Sequence, residues 1–281
     1  MGEISYKVQD EVAGRRSSTM QKYQDMVIGS RSLWALIRYE LIMLFVCPIP
    51  GALGLFLRGK LYPLILGECG RGVVFGRNIT LRHPHKIRLG DRVIVDDNVL
   101  MDAKGKTNTG ISIAQDCFIG RNSILSCKDG SIELGERANV GFNAEIFSCS
   151  RVRIGADVLI SAYCYVVGGG NYDLDQREKR INRSLREDRA RGIELADDVW
   201  IGTHSVLMDG VTIGTGTAVA AGSVVTAPMP EGVIVAGTPA RVLRERPAKS
   251  SSAGETITRE VANETLQAKA APPEGAEQLA E

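Results

Sequence analysis

A six-residue repeat is the feature that most constrains how this chain can fold. Between Leu89 and Val225, hexads begin with an aliphatic residue, often followed by glycine or another small residue, and three hexads make a unit of 18 residues. One such unit cannot bury its apolar face alone, so stacked units must share a core. The pattern predicts an all-β fold, a left-handed parallel β-helix with three-sided coils. The three registers begin at Leu89, Ile113, Leu134, Ile154, Leu195 and Ile213; at Val95, Ile119, Val140, Ile160, Ile201 and Val219; and at Met101, Leu125, Ile146, Val166, Leu207 and Val225.

A second column of residues supports the same register. We call the three registers the first, second and third faces of the coil. The fourth residue of each hexad on the second face is mostly Asn, His or Gly, and these types tolerate a left-handed backbone conformation. Such residues favour a turn at the end of each hexad on this face. The column contains Asn98, Asn122, Asn143, Tyr163, His204 and Gly222.

Composition favours a narrow core and excludes some partners. Aromatic residues make up 5% of the 281 residues, and rings fit poorly into thin, stacked layers. The formal net charge of +1 argues against a polyelectrolyte that binds nucleic acid. The six cysteines have no CxxC spacing, so we expect reduced thiols that serve mostly in packing.

The spacing between coils locates the insertions. Successive first-face residues from Leu89 onward are 24, 21, 20, 41 and 18 positions apart, and the excess over 18 is chain that leaves the β-helix. The long interval contains a charged loop, residues 168–192, and long loops on rigid scaffolds commonly carry function. The repeat is expected to occupy residues 70–246. Residues 247–281 lack aromatics and periodicity, which predicts disorder.

The N-terminal part lies outside the repeat and differs from it in composition. Residues 1–27 are polar without a signal-peptide pattern, so we expect a cytoplasmic protein. Residues 28–67 are apolar, and residues 41–57 carry no charge, but Pro48 and Pro50 interrupt that run. We expect two short helices with Arg38, Arg58 and Lys60 at their outer ends. The hairpin either associates with the inner face of the cytoplasmic membrane or caps the β-helix.

The closing motifs carry a family resemblance. The runs 199–214, 219–226 and 235–243 resemble those of bacterial hexapeptide-repeat acyltransferases, including the galactoside, maltose and polysaccharide O-acetyltransferases. The resemblance implies transfer of an acyl group, acetyl in most members, from acetyl-CoA to a hydroxyl on a sugar, polysaccharide or glycolipid precursor. It also implies a homotrimer with active sites between neighbouring β-helices, and no metal cofactor.

The resemblance assigns a set of donor-site residues. Thr203, Ala221 and Thr226 match positions along the pantetheine groove of the family. The two arginines Arg241 and Arg244 match basic residues near the coenzyme phosphates, where fixed cations bind anions well. Trp200 matches a tryptophan that lines the reaction cleft. A purely structural role, as turn residues or solvated cations, is the alternative for each.

The catalytic base is where the sequence departs from the family. Relatives present a histidine where the large loop leaves the third face, but residues 166–192 contain none. At that corner Asp173 could accept the proton, Asn171 could orient the acceptor and Tyr172 could pack on it. Asp175 is a second carboxylate nearby. His204 is an alternative base, although it occupies the turn column.

Other polar residues and other functions compete with this interpretation. His83 and His85 lie on an early coil, where structural roles are expected. A γ-type carbonic anhydrase shares the fold, but these two residues and His204 are too dispersed for a zinc site. Asp102, Lys104 and Lys128 stack on the third face, as a solvated edge or a contact for an acidic acceptor. A catalytically silent scaffold at the membrane is the alternative function.

Overall fold

The chain winds into a parallel β-helix. The computed structural model describes residues 18–247 except positions 174, 176, 177, 179, 182, 183, 185, 187 and 188. Three sheets form the sides of the coil, and strands of each sheet pair in parallel with those of the coils above and below. Seven strands from each sheet make seven coils, and one of the three sheets has two further strands at its end. The predicted fold class is confirmed.

The strands are short and fall into three sheets. Sheet A contains β1 Glu68–Cys69, β4 Ile87–Leu89, β7 Ile111–Ile113, β10 Ser131–Leu134, β13 Arg151–Ile154, β16 Ile193–Leu195 and β19 Thr212–Ile213. Sheet B contains β2 Val74–Phe75, β5 Ile94–Val95, β8 Phe118–Ile119, β11 Asn139–Val140, β14 Leu159–Ile160, β17 Trp200–Ile201, β20 Ala218–Val219, β22 Val233–Gly237 and β23 Ala240–Glu245. Sheet C contains β3 Thr80–Arg82, β6 Leu100–Asp102, β9 Ile124–Cys127, β12 Glu145–Ser148, β15 Tyr165–Gly168, β18 Val206–Leu207 and β21 Val224–Val225.

The aliphatic ladders line the interior as the period predicts. Ile119 pairs in register with Val95 below and Val140 above, and all three side chains are buried. The ladders begin one coil earlier than the repeat alone indicated, at Cys69, Phe75 and Leu81. The six-residue pattern is hard to recognise in that first coil, because Phe75 occupies the position that aliphatic residues hold in the other coils.

Left-handed turns close the coils at two corners. Each member of the predicted column has a positive φ, from 55° at Asn143 to 72° at Gly222. A second left-handed column, between sheets A and B, escaped the sequence analysis because charged residues such as Arg137 and Asp157 occupy it. These two form an ion pair of 2.7 Å across adjacent coils. An exposed pair of this kind contributes little stability, so the turn geometry rather than the charge holds the corner.

Cysteine side chains serve the packing. The six cysteines are unbridged, and Cys47, Cys117, Cys127 and Cys164 are buried. Burial raises the pKa of the Cys127 thiol to about 12, so this residue remains protonated and unreactive at neutral pH.

Helices precede the first coil. The bounds are α1 Thr19–Tyr23, a π-helical turn Gln24–Ile28, α2 Leu33–Phe45, α3 Gly51–Leu61 and a short 3-10 turn Tyr62–Leu64. A second 3-10 turn, Pro84–Lys86, follows β3. The proline-containing turn that separates α2 from α3 lies where the sequence predicts it, since proline cannot donate to a helix. The predicted polar segment 1–27 and disordered tail 247–281 fall outside the described residues, apart from residue 18, which caps the first helix, residues 19–27, which are helical, and residue 247.

One side of the helical hairpin covers the first coil. The Tyr39 hydroxyl donates to the carbonyl of Leu81 at 2.7 Å, and the Tyr62 ring packs edge-on against Phe75 with 5.0 Å between centroids. Arg58 is only 2% exposed and donates to the carbonyls of Phe75 and Ile49 at 3.0 and 2.6 Å. Arg58 does lie in the last turn of α3, at the outer end of the hairpin as predicted, but its guanidinium is buried and satisfies backbone oxygens rather than facing outward.

Candidate functional site

The large loop is anchored at its base by a carboxylate from the next coil. Asp209 accepts hydrogen bonds from the side-chain amide of Asn171 at 2.7 Å and from the backbone N–H groups of Arg191 and Gly192 at 2.9 and 2.8 Å. The first partner lies where the chain leaves sheet C, and the other two lie where it returns to sheet A. Asp209 thus joins both ends of the loop. The sequence analysis did not identify Asp209, because the tripeptide at residues 208–210, Met-Asp-Gly, looks like an ordinary polar turn.

The predicted base lies beside an arginine of the same loop. The Asp173 side chain is only 10% exposed, and its Oδ2 is 3.6 Å from Nη1 of Arg186. The backbone supports this pair, since Asp173 N–H donates to the carbonyl of Ser184 and Arg186 N–H donates to the carbonyl of Asn171. Tyr172, between them, is exposed. The carboxylate and amide proposed for proton transfer and orientation therefore share one sheltered corner, while Asp175 is exposed.

A column of small side chains follows the corner between sheets B and C. In the third and fourth coils this position is held by Arg121 and Phe142, both exposed. From the fifth coil onward it is held by Ala162, Thr203 and Ala221. Thr203 donates its hydroxyl to the carbonyl of Ala162 at 2.6 Å, so its side chain lies against the turn. The side chains at this position are therefore smaller in the last three coils, and we call Ala162, Thr203 and Ala221 the small-residue track.

Three other donor-site candidates lie on sheet B. Trp200 is exposed on β17, and its indole N–H donates to the hydroxyl of Ser161 at 3.1 Å. Arg241 and Arg244 lie on β23, the final antiparallel strand of that sheet, and are exposed. Neither arginine forms an ion pair with another described residue. Two unpaired cations thus stand at the end of the sheet that borders the small-residue track.

The predicted site residues fall into two groups in one chain. Asn171, Asp173 and Thr226 lie at the corner between sheets C and A, whereas Thr203 and Ala221 lie at the corner between sheets B and C. One side of the coil separates them, a distance of roughly 15–20 Å for six extended residues. The structure does not bring these groups together within a single chain.

His204 lies at the same corner as Thr203 and Ala221, whereas His83 lies far away in the first coil. His204 is exposed, has the left-handed φ of 58°, and stacks on Tyr163 of the coil below, with 5.0 Å between ring centroids. His83 is buried in the first coil, where its Nε2 lies 2.9 Å from the carbonyl oxygen of Asp25. Burial lowers the pKa of this ring. Within the described residues, His, Cys, Asp and Glu side chains form no cluster of three or more that could hold a metal ion.

Two further polar regions carry structural contacts. An open groove crosses the outer face of sheet A, where Arg153 pairs with Glu194 at 3.0 Å and none of the candidate residues lies. On sheet C, Asp102 is buried 3.5 Å from Arg82 and accepts a hydrogen bond from the backbone of Lys104. Asp102 is therefore part of the framework rather than an open contact for an acceptor.

Comparison with known families agrees with the coil geometry. Residues 192–227 match the family described as bacterial transferase hexapeptide (six repeats), and residues 110–148 match the hexapeptide repeat of succinyl-transferase. The first match includes β16 to β21, the two coils that carry most of the small-residue track. The chain is a hexapeptide-repeat protein.

Relatives of this hexapeptide-repeat protein are named acyltransferases. It is 35% identical over 118 residues to the galactoside O-acetyltransferase of Escherichia coli, which covers 41% of this chain and 54% of that protein. It is 46% identical over 63 residues to the 2,3,4,5-tetrahydropyridine-2,6-dicarboxylate N-acetyltransferase of Clostridium perfringens, covering 22% of this chain and 27% of that one. The chain thus spans about half the length, or less, of these curated relatives.

A solved structure also resembles this hexapeptide-repeat protein. It is that of AntD, an N-acyltransferase from Bacillus cereus, in complex with dTDP and coenzyme A. The two are 19% identical, with a TM-score of 0.46, and the likeness covers 72% of this chain and 91% of AntD.

Proposed function

We propose that this chain is an acyltransferase that moves an acyl group, most simply acetyl, from coenzyme A to a hydroxyl of a sugar. The observation that carries the proposal is the small-residue track at Ala162, Thr203 and Ala221. Two of its three residues, Thr203 and Ala221, lie in the coils that match the transferase repeat, and the track provides a surface along which an extended pantetheine arm can lie. Unpaired Arg241 and Arg244 stand where the phosphates of the coenzyme need cations.

The reaction follows from the groups at the loop corner. The acceptor hydroxyl oxygen attacks the thioester carbonyl carbon, which forms a C–O bond. Asp173 takes the hydroxyl proton, and Asn171 orients the acceptor. The C–S bond then breaks, and the leaving thiolate of coenzyme A receives the proton from Asp173. Arg186 is the positioning residue for the carboxylate, since it lies 3.6 Å from it within the loop.

A complete site requires more than one copy of the chain. The donor track and the loop corner lie on different edges of the coil, so a donor bound on one copy would meet the loop of its neighbour. Association also has a physical basis, because the outer face of sheet B is apolar. Val74, Ile94 and Leu159 are exposed on that face. We therefore propose a homotrimer whose active sites lie between copies.

The acceptor class rests on the relatives. The galactoside O-acetyltransferase acts on a galactoside by its name, and it gives the longer of the two curated matches reported above. A sugar, a polysaccharide or a glycolipid precursor suits an exposed loop corner, where a bulky acceptor can extend into solvent. The N-acetyltransferase relative, named for a dicarboxylate, makes an acidic amine the second acceptor class to be tested.

The experiment compares two single variants with the parent protein. Coenzyme A binding is measured by calorimetry, and acetyl transfer is measured with a panel of glycoside acceptors. Asp173→Asn should lower the rate by about 10²–10⁴ while leaving coenzyme A affinity unchanged, as expected for a positioned base. His204→Asn should retain most activity, because Asn occupies the same turn column in earlier coils. An inactive His204→Asn with an active Asp173→Asn would overturn the assignment of the base.

A catalytically silent scaffold is the second candidate. Two observations favour it: the loop corner has no histidine, and Asp173 already has an arginine beside it. The same calorimetry separates the two functions, since an enzyme must bind coenzyme A. A parent protein that neither binds the coenzyme nor transfers acetyl establishes the scaffold.

A further inference from the structure

Helix α2 has two apolar faces on opposite sides. Leu36, Tyr39 and Ile42 are buried against the first coil. At about 100° per residue, the opposite side of the helix presents another apolar stripe. Its members are exposed, and Trp34 is 80% exposed. The stripe consists of Leu33, Trp34, Ile37, Leu41, Leu44 and Phe45.

Helix α3 extends the exposed apolar surface. Leu53, Leu55 and Phe56 are exposed on it, while Gly54 and Arg58 face inward. We call the outward residues of α2 and α3 the hairpin outer face. A water-soluble surface seldom leaves so many large apolar side chains together without a partner. The contact with the first coil uses only one side of the hairpin. It does not explain why large apolar side chains are exposed on the other side.

Two unpaired cations lie on the helices that carry this face. Arg38 and Lys60 are exposed and form no ion pair with any described residue. The one acidic side chain of α2, Glu40, accepts a hydrogen bond from the Tyr23 hydroxyl, and burial together with this contact raises the pKa of that hydroxyl to about 12. Unpaired cations next to an apolar face suit a surface that is apolar inside and anionic at its boundary.

The helix lengths determine whether the hairpin could cross a bilayer or only lie on its surface. Helix α2 has 13 residues and α3 has 11, which gives lengths of about 20 and 16 Å. The hydrocarbon core of a bilayer is about 30 Å thick. Within residues 18–247, neither helix reaches the length and hydropathy that a membrane crossing requires. The hairpin is also held to the β-helix by Tyr39, so it can present only its outer side.

We propose that the hairpin outer face docks on an anionic lipid bilayer and lies in the headgroup region of one leaflet. Trp34 and Phe56 would enter the acyl boundary, while Arg38 and Lys60 would contact lipid phosphates. A second copy of the chain fits less well, because two such faces would bring the unpaired cations Arg38 and Lys60 of both copies close together. Docking would hold the β-helix at the surface where lipid-linked acceptors are found.

Vesicle flotation tests this with the full chain. The parent should float with vesicles of phosphatidylcholine and phosphatidylglycerol and much less with phosphatidylcholine alone. The triple variant Trp34→Ser, Leu44→Ser, Phe56→Ser should bind at least about tenfold more weakly, since three large apolar contacts are lost. Arg38→Gln with Lys60→Gln should remove the preference for anionic vesicles. Leu243→Ser is the matched control, because Leu243 and Leu44 are both 65% exposed.

The outcomes are distinct from those of the acyltransferase assays. Because the substituted side chains are exposed, all variants should keep the parent's melting temperature. A parent that stays unbound with anionic vesicles, or a triple variant that floats as well as the parent, overturns the proposal. If the triple substitution instead lowers the oligomeric mass in sedimentation without lipid, and the parent does not bind vesicles, the hairpin outer face is a contact between copies.

Discussion

The side-chain amide of Asn171 donates to the carboxylate of Asp209 at 2.7 Å, across 38 positions of sequence. The same carboxylate accepts two backbone N–H groups where the loop returns to the β-helix. One residue of a rigid coil therefore fixes the corner at which the candidate base lies. This relationship ties the chemistry proposed for the loop to a residue outside it.

Replacing Asp209 should loosen the loop without unfolding the coils. Asp209→Ala removes the acceptor of three hydrogen bonds, and a donor left buried without a partner, such as the N–H of Gly192, costs roughly 1–3 kcal/mol. Trypsin should then cleave within residues 178–191 on the order of 10–100 times faster. Asp197→Ala is the control, because Asp197 accepts one N–H, from Ala156, outside this loop. Equal cleavage rates in the two variants would contradict the anchoring role.

The ladder register predicts that Ile119→Asp unfolds the protein. Ile119 is fully buried, so the substitution removes roughly 1.5–3 kcal/mol of apolar burial and adds an unpaired carboxylate at further cost. Ile119→Val should cost only about 0.5–1.5 kcal/mol. Circular dichroism and thermal melting of both variants measure the effect. A soluble Ile119→Asp protein with β structure and unchanged melting would show that the register is wrong.

Two buried tyrosines give opposite expectations for the same substitution. The Tyr39 hydroxyl donates to Leu81, so Tyr39→Phe should lower the free energy of unfolding by about 1–3 kcal/mol and leave a buried carbonyl unpaired. The Tyr62 hydroxyl is buried without a hydrogen-bond partner among the described residues. Tyr62→Phe should therefore be neutral or stabilising. Denaturant unfolding of the two variants provides the comparison, and equal losses would contradict it.

Acid should destabilise the attachment of the N-terminal helices. Burial lowers the pKa of His83 below its ordinary value of 6.5, so the unfolded chain binds a proton at a higher pH than the folded one. The free energy of unfolding therefore falls as the pH drops below about 6.5, and this contribution is constant above it. His83→Asn tolerates the positive φ of 51° and should show a smaller loss of melting temperature between pH 7.5 and 5.5. Equal losses in parent and variant would contradict this.

Much of the candidate site was visible in the sequence because it follows the repeat. The small-residue track occupies a fixed hexad position, and the loop corner is located by one long interval between coils. Asp209 and Arg186 were not visible. Each acts through a partner that the hexad period does not locate, either 38 positions away or within the irregular loop.

The sequence by itself determined which side chains face the core, because side chains alternate along each strand and the hexad period places every coil above the last. It also determined the left-handed corner between sheets B and C, since most residue types there tolerate positive φ, but not the one between sheets A and B, where charged residues occupy the turn. Only the tertiary structure decided which side of the helical hairpin covers the first coil and that Arg58 is buried beneath it. Both faces of α2 are apolar, so periodicity cannot select one, and the choice depends on contacts with Leu81 and Phe75, which lie far away in sequence.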